Sequence, residues 1–173
     1  LARAADVFRD RIALVYGENR LTYGALHARV SRLASALAGA GVRPGDVVAT
    51  LLPNVAAHVE AHFGVPAAGA VLNAINVRLD VETVRYIFDH GGARLVLVDS
   101  AFLPLAEAAV AAMEGPAPRL IEVADPEAGF PASGRHQTYE DFLGQGNPTA
   151  RWHFPKDEWE SLALNYIVTA VKA

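Results

Sequence analysis

The sequence predicts an α/β fold: an open, doubly wound, mostly parallel sheet with helices on both faces. Short apolar runs rich in β-branched residues alternate along the chain with stretches in which apolar residues recur every three or four positions, as in amphipathic helices. Residues 94–99 form a nearly continuous run of Leu and Val, which is typical of a strand covered on both faces and hence of a parallel sheet. Strands alternating with helices are the pattern of a doubly wound layer.

The first predicted elements are a short hairpin and an amphipathic helix. Residues 12–16 and 20–21 flank a break rich in turn residues, which indicates the hairpin. Thr22 stands where its hydroxyl can cap the helix that follows, and Gly41 marks the end of that helix. The apolar face of the helix consists of Tyr23, Leu26, Val30, Leu33 and Leu37.

The middle of the chain predicts further strand and helix units. Residues 47–53 form a buried strand, Asn54 is placed to cap the next helix, and residues 65–76 turn from helix into strand. Asp80 is placed to cap a third helix, which Gly91 and Gly92 stop. The face of that helix consists of Val81, Val84, Ile87 and Phe88, and the units that complete the layer are a strand at 94–99, a helix at 101–113 and a strand at 120–123.

The regular alternation decays after residue 125, where the chain becomes rich in Pro, Gly and Ala. We therefore expect an α/β subdomain over 1–125, an irregular connector with a short helix over 126–160, and a last strand with an atypical tail over 161–173. The spacing of apolar residues also predicts a set of buried side chains, which are Leu26, Val30, Leu33, Leu37, Val48, Leu51, Ile87, Leu95, Leu97 and Val98.

Composition narrows the classes of protein. The chain has 173 residues, of which 52% are hydrophobic and 20% charged, enough for a sizeable core in one domain. A formal charge of -4 with scattered Arg residues gives no electrostatic footprint for nucleic acid, and no nucleic-acid partner is expected. The absence of Cys excludes disulfides and thiolate zinc sites and fits a cytoplasmic protein. The longest apolar stretch, 65–75, is too short to span a bilayer, and the charged N-terminus does not resemble a signal peptide.

Two clusters of polar residues are candidate sites. His58 and His62 lie four residues apart, a spacing that can chelate zinc, but no third ligand is near in sequence and we expect no metal site. Asn73, Asn76 and Arg78 cluster at the carboxyl end of a predicted strand, where open α/β sheets place their ligands. The alternative, which we favour, is that the Asn side chains hydrogen-bond a turn and Arg78 ties down a neighbouring element.

Three segments in order carry a resemblance to a known family: residues 21–26, 47–53 and 65–76. Together they resemble the N-terminal part of the adenylate-forming (AMP-binding) superfamily, the acyl- and aryl-CoA synthetases with their luciferase and peptide-synthetase relatives. The resemblance extends from about residue 4 to residue 166 and implies a partial N-terminal domain of the adenylate-forming fold. It also implies ATP, Mg and CoA as cofactors of the intact enzyme, with none for this fragment, and a place in fatty acid metabolism.

The resemblance breaks near the end of the chain. In the family, the strand that resembles residues 162–166 leads into a Thr-, Ser- and Gly-rich loop that binds phosphate, whereas residues 167–173 contain no glycine. Thr169 and Lys172 are the candidate nucleotide-binding remnants of that loop. Ala25 stands where the first family motif commonly carries Glu. The family's magnesium-site acid, ribose-binding aspartate, hinge and C-terminal lysine have no counterpart here, so no catalytic residue is assigned.

Two hypotheses of function follow. By the resemblance, the chain is the N-terminal fragment of an ATP-dependent acyl- or aryl-CoA ligase, inactive alone, with a small-molecule carboxylate as substrate of the intact enzyme. The remainder of the adenylation domain would then pack on it, and an exposed packing face would also promote formation of a homo-oligomer. The alternative is a stand-alone, non-catalytic α/β module for binding or interaction.

Overall fold

The fold is a parallel sheet with helices on both faces, preceded by a helix and a hairpin, and the computed structural model describes residues 1–152. This confirms the predicted fold class. The strands are β1 (Ile12–Tyr16), β2 (Asn19–Thr22), β3 (Val47–Leu51), β4 (Val71–Ala74), β5 (Ala93–Asp99), β6 (Arg119–Val123) and β7 (Gln137–Thr138). The helices are α1 (Ala2–Val7), α2 (Tyr23–Gly39), α3 (Ala56–Ala67), α4 (Val81–Gly91), α5 (Leu103–Ala111) and α6 (Tyr139–Gly144), with a 3-10 turn at Ser100–Phe102.

The strand order determines where a ligand site can form. β1 and β2 pair as an antiparallel hairpin, and the main sheet has the order β4-β3-β5-β6-β7 with all neighbours parallel. The chain moves from β3 outward to β4 and then crosses back to β5 on the other side of β3. The order therefore reverses between β3 and β5, and a crevice is expected outside the carboxyl ends of the strands at such a switch point.

Several helix ends follow from the residues that the sequence places there. The Thr22 hydroxyl accepts a hydrogen bond from the backbone N–H of Ala25 at 3.2 Å and caps α2. The Asp80 carboxylate accepts one from the N–H of Thr83 at 2.8 Å and caps α4. Gly92 ends α4 in the left-handed conformation with φ 60°, which glycine adopts without steric cost.

The sheet separates two hydrophobic cores. On one face, α2, α3 and α6 pack on Leu95 and Leu97 of β5; on the other, α4 and α5 pack on Val96 and Val98. Alternate side chains of β5 thus enter opposite cores, which explains why its sequence is apolar throughout rather than alternating. The close contact between α2 and α3 requires a glycine at position 64, because a Cβ on Gly64 of α3 would lie 2.5 Å from Leu33 Cδ2 of α2.

Some details of the prediction were wrong. Ile87 is only partly buried, because it lies about 100° around α4 from the buried Phe88 and reaches only the margin of the core. The other nine predicted core side chains are buried. Asn54 does not cap α3, which begins after Val55 without a side-chain cap. β7 was not predicted, since two polar residues carry no strand pattern of their own.

Candidate functional site

A cleft of about 450 Å³ lies at the carboxyl edge of the sheet. The hairpin contributes Leu14 and Leu21 to one wall, the start of α3 contributes Val55, and the chain leaving β6 contributes Val123 and Asp125. These segments follow or cover β3 and β6, the two neighbours of the central strand β5. The cleft therefore forms beside the switch point, and its volume falls in the range of small-molecule sites.

One end of the cleft is a buried ion pair. Glu60 of α3 is fully buried, accepts a hydrogen bond from Arg29 Nε on Oε1 at 2.6 Å, and accepts one from the Tyr139 hydroxyl on Oε2 at 2.8 Å. The terminal nitrogens of Arg29 donate to both oxygens of Glu140, at 2.9 and 2.5 Å. A buried carboxylate is costly unless it is paired, and here both oxygens have donors.

The pKa values of this group reflect burial and charge. Burial raises the pKa of the Glu60 carboxyl, and the bonds from Arg29 and Tyr139 oppose that rise. Burial and the adjacent Glu60 charge together raise the pKa of the Tyr139 phenol well above its ordinary value. Burial lowers the pKa of Arg29, but the hydrogen bonds that it donates to Glu140 and Glu60 outweigh this effect, so the pKa is raised and the guanidinium stays charged. The network joins α2, α3 and α6 and is suited to hold structure rather than to exchange protons.

The opposite end of the cleft joins the hairpin to the segment after β6. The Tyr16 hydroxyl donates to Asp125 Oδ2, and Asn19 Nδ2 donates to Glu127 Oε1 at 2.7 Å. Asp125 Oδ1 accepts from the N–H of Ala128 at 3.2 Å. The hydrogen bond to Asp125, then burial, then the Asp125 charge raise the pKa of Tyr16 to about 12. These contacts fix the hairpin over the carboxyl edge.

Asp99 is a second buried acid; it does not line the cleft, but its charge acts on the Tyr16 hydroxyl. It is the last residue of β5, only 1% exposed, and its Oδ1 accepts a hydrogen bond from the N–H of Ala101 at 2.8 Å. Its Oδ2 has no hydrogen-bond partner among residues 1–152. Burial and the charge of Asp125 raise the pKa of Asp99, while the bond from Ala101 opposes them. An unpaired buried oxygen is uncommon and calls for an explanation.

The candidate site residues from the sequence lie outside the cleft. Asn73, Asn76 and Arg78 belong to β4 and the turn after it, at the sheet edge, and do not line the cleft. Asn76 Oδ1 accepts a hydrogen bond from the N–H of Arg78 at 3.0 Å, which is the turn contact expected from the structural alternative.

The two histidines of α3 lie near polar groups of β3, of the segment between β3 and α3, and of α3 itself. His58 Nδ1 lies 3.1 Å from the Pro53 carbonyl oxygen and Nε2 lies 3.4 Å from Thr50 Oγ1, while His62 Nδ1 lies 2.7 Å from the His58 carbonyl oxygen. Burial, followed by the nearby His62, lowers the pKa of His58. Within residues 1–152, no group of three or more His, Cys, Asp or Glu side chains is placed to hold a metal ion.

Thr169 and Lys172 lie outside the described residues, as do the predicted last strand at 162–166 and the tail. Their assignment as a remnant phosphate loop stays a prediction. In the part of the chain that the structure describes, no helix combines the length and apolar character that a bilayer crossing requires.

Comparison with known sequences shows the family to which this chain belongs. Residues 1–162 match the family model for the AMP-binding enzyme. The chain belongs to the AMP-binding enzyme family. Among curated relatives of this family, the chain is 41% identical to the peroxisomal acetate/butyrate–CoA ligase AAE7 of Arabidopsis thaliana and 38% identical to the 2-methylpropanoate–CoA ligase CCL4 of Humulus lupulus. Each comparison covers 96% of the chain and 31% of the relative, so the chain spans about a third of their length.

Solved structures agree with this family assignment. The chain resembles a benzoate CoA ligase from Burkholderia xenovorans with a TM-score of 0.77 and 24% identity, over 88% of the chain and 29% of that protein. It resembles the anthranilate CoA ligase AuaEII with a TM-score of 0.75 and 25% identity, over 87% of the chain and 28% of that protein. The first likeness shows the fold alone. The chain is thus an N-terminal fragment of an AMP-binding fold, as the resemblance implied.

Proposed function

We propose that the chain is the N-terminal piece of an ATP-dependent acyl- or aryl-CoA ligase. The intact enzyme would join a carboxylate to AMP with release of pyrophosphate and then pass the acyl group to the CoA thiol. The observation that carries the proposal is the match of 96% of the chain to 31% of a plant CoA ligase at 41% identity. A stand-alone module is the alternative, and nothing in the cleft favours it.

The described cleft does not fit ATP or magnesium. Its charged lining consists of Glu60, Asp125, Glu127 and Glu140 against the single cation Arg29, so its field repels a triphosphate. Each of these carboxylates accepts a hydrogen bond from within the chain: Glu60 and Glu140 from Arg29, Asp125 from Tyr16, and Glu127 from Asn19. Among residues 1–152, no group of three or more acidic or His side chains is placed to hold a metal ion. Electrostatic stabilisation of the transferring phosphoryl group is the main source of catalysis in such reactions. We therefore expect the piece to supply scaffold, with ATP, Mg and CoA bound by segments outside it.

An exposed apolar surface supports the expectation that further protein packs on the piece. Val7, Phe8, Ile12 and Val15 are large apolar side chains exposed on α1, β1 and the connection between them. Exposed apolar side chains that form a patch on a small domain usually mark an interface. Its occupant in this proposal is the remainder of the adenylation domain.

The substrate proposed for the intact enzyme is a small carboxylate. The names of the two plant relatives specify acetate, butyrate and 2-methylpropanoate, all short aliphatic acids. We propose the cytoplasm as compartment, although AAE7 is described as peroxisomal. Imaging of a tagged full-length product would distinguish the two: diffuse signal supports the cytoplasm, and punctate signal that overlaps a peroxisomal marker excludes it.

The proposal is tested by a chimera in which residues 1–162 replace the matching third of AAE7. Butyrate-dependent acyl-CoA formation by the chimera, with intact AAE7 as positive control, is the expected result. A folded chimera that makes no acyl-CoA with any short carboxylate contradicts the proposal. Sequence beyond Ala173 provides a second test: an in-frame Gly-rich loop and C-terminal lysine support a ligase, whereas a natural stop supports the module.

A further inference from the structure

A second groove, of about 430 Å³, lies at the amino edge of the sheet, where the parallel strands begin. The connection between α2 and β3 contributes Val42 and Asp46, the start of β5 contributes Arg94, and the chain entering β6 contributes Pro116 and Arg119. We call it the amino-edge groove. β5 has seven residues with a rise of about 3.3 Å each, so its two ends lie about 20 Å apart. The groove is therefore separate from the cleft at the carboxyl edge.

Two guanidinium groups line the amino-edge groove from neighbouring strands. Arg119 of β6 is paired in register with Leu95 of β5, and Arg94 directly precedes Leu95. The register of β5 against β3 shifts at Arg94, since Val47 pairs with Ala93 and Val48 with Leu95. A shift of this kind turns a side chain away from its regular alternation, and it allows Arg94 to share the groove with Arg119.

The charges that line the amino-edge groove do not balance. Among its described lining residues, Arg94 and Arg119 are the cations and Asp46 is the acid. Asp46 Oδ2 lies 3.4 Å from Arg94 Nε, and it also accepts a hydrogen bond from the backbone N–H of Arg43 at 2.8 Å. Like charges on neighbouring strands repel each other. An anion between the two guanidinium groups would remove this repulsion.

Both guanidinium groups are held in place and still have donors to offer. Arg119 Nη2 donates to Gln137 Oε1 at 2.5 Å, and its guanidinium carbon lies 5.8 Å from the centre of the Phe142 ring. These contacts leave Nε and Nη1 of Arg119 for a further acceptor. Arg94 approaches Asp46 through Nε, which leaves its two terminal nitrogens. A guanidinium presents its five N–H groups in a planar fork that matches the oxygens of a phosphate.

The remaining wall of the amino-edge groove is apolar and made of small side chains. These are Ala40, Val42, Ala93, Pro116 and Ala117. A short carbon chain attached to the anion would lie against them. A phosphate ester carries about 1.5 to 2 negative charges at neutral pH and has three acceptor oxygens, which suits two guanidinium groups better than a carboxylate with one charge.

We propose that the amino-edge groove binds a phosphate group, held between Arg94 and Arg119. The phosphate has two possible sources with the same chemistry, which are inorganic phosphate and a small organic phosphate ester whose carbon chain contacts Val42 and Pro116. This site goes beyond the proposed ligase function, because it lies at the opposite edge of the sheet and consists of residues that do not line the cleft.

The test is a titration of the isotope-labelled 173-residue chain, followed by the chemical shifts of backbone amides and of the arginine Nε–H groups. The probes are inorganic phosphate and n-propyl phosphate. Sodium chloride at matched ionic strength controls for charge screening, and n-propanol controls for the carbon chain. We expect saturable shifts at Val42, Gly92, Ala117 and the two arginine side chains with the phosphates and with neither control. Tighter binding of n-propyl phosphate identifies an ester as the ligand, and equal or tighter binding of inorganic phosphate identifies the free ion.

Variants assign the binding to the two guanidinium groups. Arg94→Gln and Arg119→Gln should each weaken phosphate binding about fivefold or more, because each removes charge-assisted hydrogen bonds. Arg3→Gln removes the same charge from an exposed residue of α1 that does not line the groove, and it should leave binding unchanged. Asp46→Asn removes the competing negative charge and should tighten binding about twofold to fivefold.

The spectrum of each variant reports whether it is folded, and both arginines are exposed, so their replacement leaves the core intact. Three separate variants around the groove keep the test valid if one of them does not fold. Phosphate shifts that do not saturate or that chloride reproduces overturn the proposal. Equal affinity of Arg94→Gln, Arg119→Gln and Arg3→Gln for phosphate also overturns it.

Discussion

At the scale of single residues, two buried acids, Glu60 and Asp99, have different surroundings. Glu60 has donors on both oxygens, from Arg29 and Tyr139, whereas Asp99 has one donor from the backbone and one unpaired oxygen. Burial raises the pKa of both acids, but the compensating bonds differ in number and charge. Substitutions at these positions should therefore have opposite effects on stability.

Removal of the Arg29 guanidinium beside Glu60 should destabilise the fold. Arg29→Met leaves a fully buried carboxylate without its charged partner, and we expect the free energy of unfolding to fall by about 3 to 5 kcal/mol. Arg85→Met removes a partly exposed pair with Asp89 one helical turn away and should cost less than about 1 kcal/mol. Urea denaturation of both variants measures the difference. Equal losses would show that Glu60 does not require its ion pair.

The Asp99 carboxyl should make stability depend on pH. Its folded pKa lies above the ordinary value of 3.8, so the native state binds the proton more tightly than the unfolded state. The stability from protonated Asp99 is fully present below the unfolded pKa and is lost as pH rises through the folded pKa. Asp99→Asn cannot ionise, and its free energy of unfolding relative to the parent should increase as pH rises from about 4 to about 7. Urea melts across this range test the trend, and a difference that stays flat or decreases would contradict it.

At the scale of elements, the two-sided burial of β5 organises both cores. Leu97 is fully buried beneath α2 and α3, while Ile87 on α4 packs only at the margin of the opposite core. Leu97→Ala should therefore cost about 2 to 5 kcal/mol, and Ile87→Ala clearly less. Denaturant melts of the two variants compare the sites. A loss at Leu97 below about 1 kcal/mol would mean that β5 is not the core strand.

Replacing a glycine by alanine should have opposite effects on stability at two positions, one inside the contact between α2 and α3 and one outside it. Gly64→Ala would put a Cβ 2.5 Å from Leu33 Cδ2, and this overpacking should destabilise by about 1 to 3 kcal/mol despite the better helix propensity of Ala. Gly39, the last residue of α2, has open space around it, so Gly39→Ala should be neutral or stabilising by up to about 1 kcal/mol. Thermal melts of the pair provide the measurement. Stabilisation by Gly64→Ala would refute the close helix contact.

The sequence predicted elements whose signals are local, and missed features that depend on distant residues. The caps at Thr22 and Asp80 and the apolar run of β5 were predicted because each signal lies within a few residues. The bond between Arg29 and Glu60 joins residues 31 positions apart, and no spacing rule indicates it. Asp99 and Asp125 did carry a usable signal, since each stands where a parallel strand ends or just after one, and such ends share one edge of the sheet.

At the scale of the whole molecule, the chain combines a well-packed sheet with a cleft whose net negative charge repels ATP. The sheet, its two helical layers and the match to AMP-binding enzymes agree on the fold. Four carboxylates and one guanidinium line the cleft, and the relatives are about three times as long as this chain. We therefore propose a ligase scaffold that does no chemistry by itself.

The most direct measurement is pyrophosphate release by the purified 173-residue chain, supplied with ATP, magnesium and CoA and with acetate, butyrate, 2-methylpropanoate or benzoate in turn. Intact AAE7 provides the positive control, and omission of the acid gives the background. We expect no acid-dependent release above that background with any of the four carboxylates. Carboxylate-dependent pyrophosphate formation by the chain alone would contradict it.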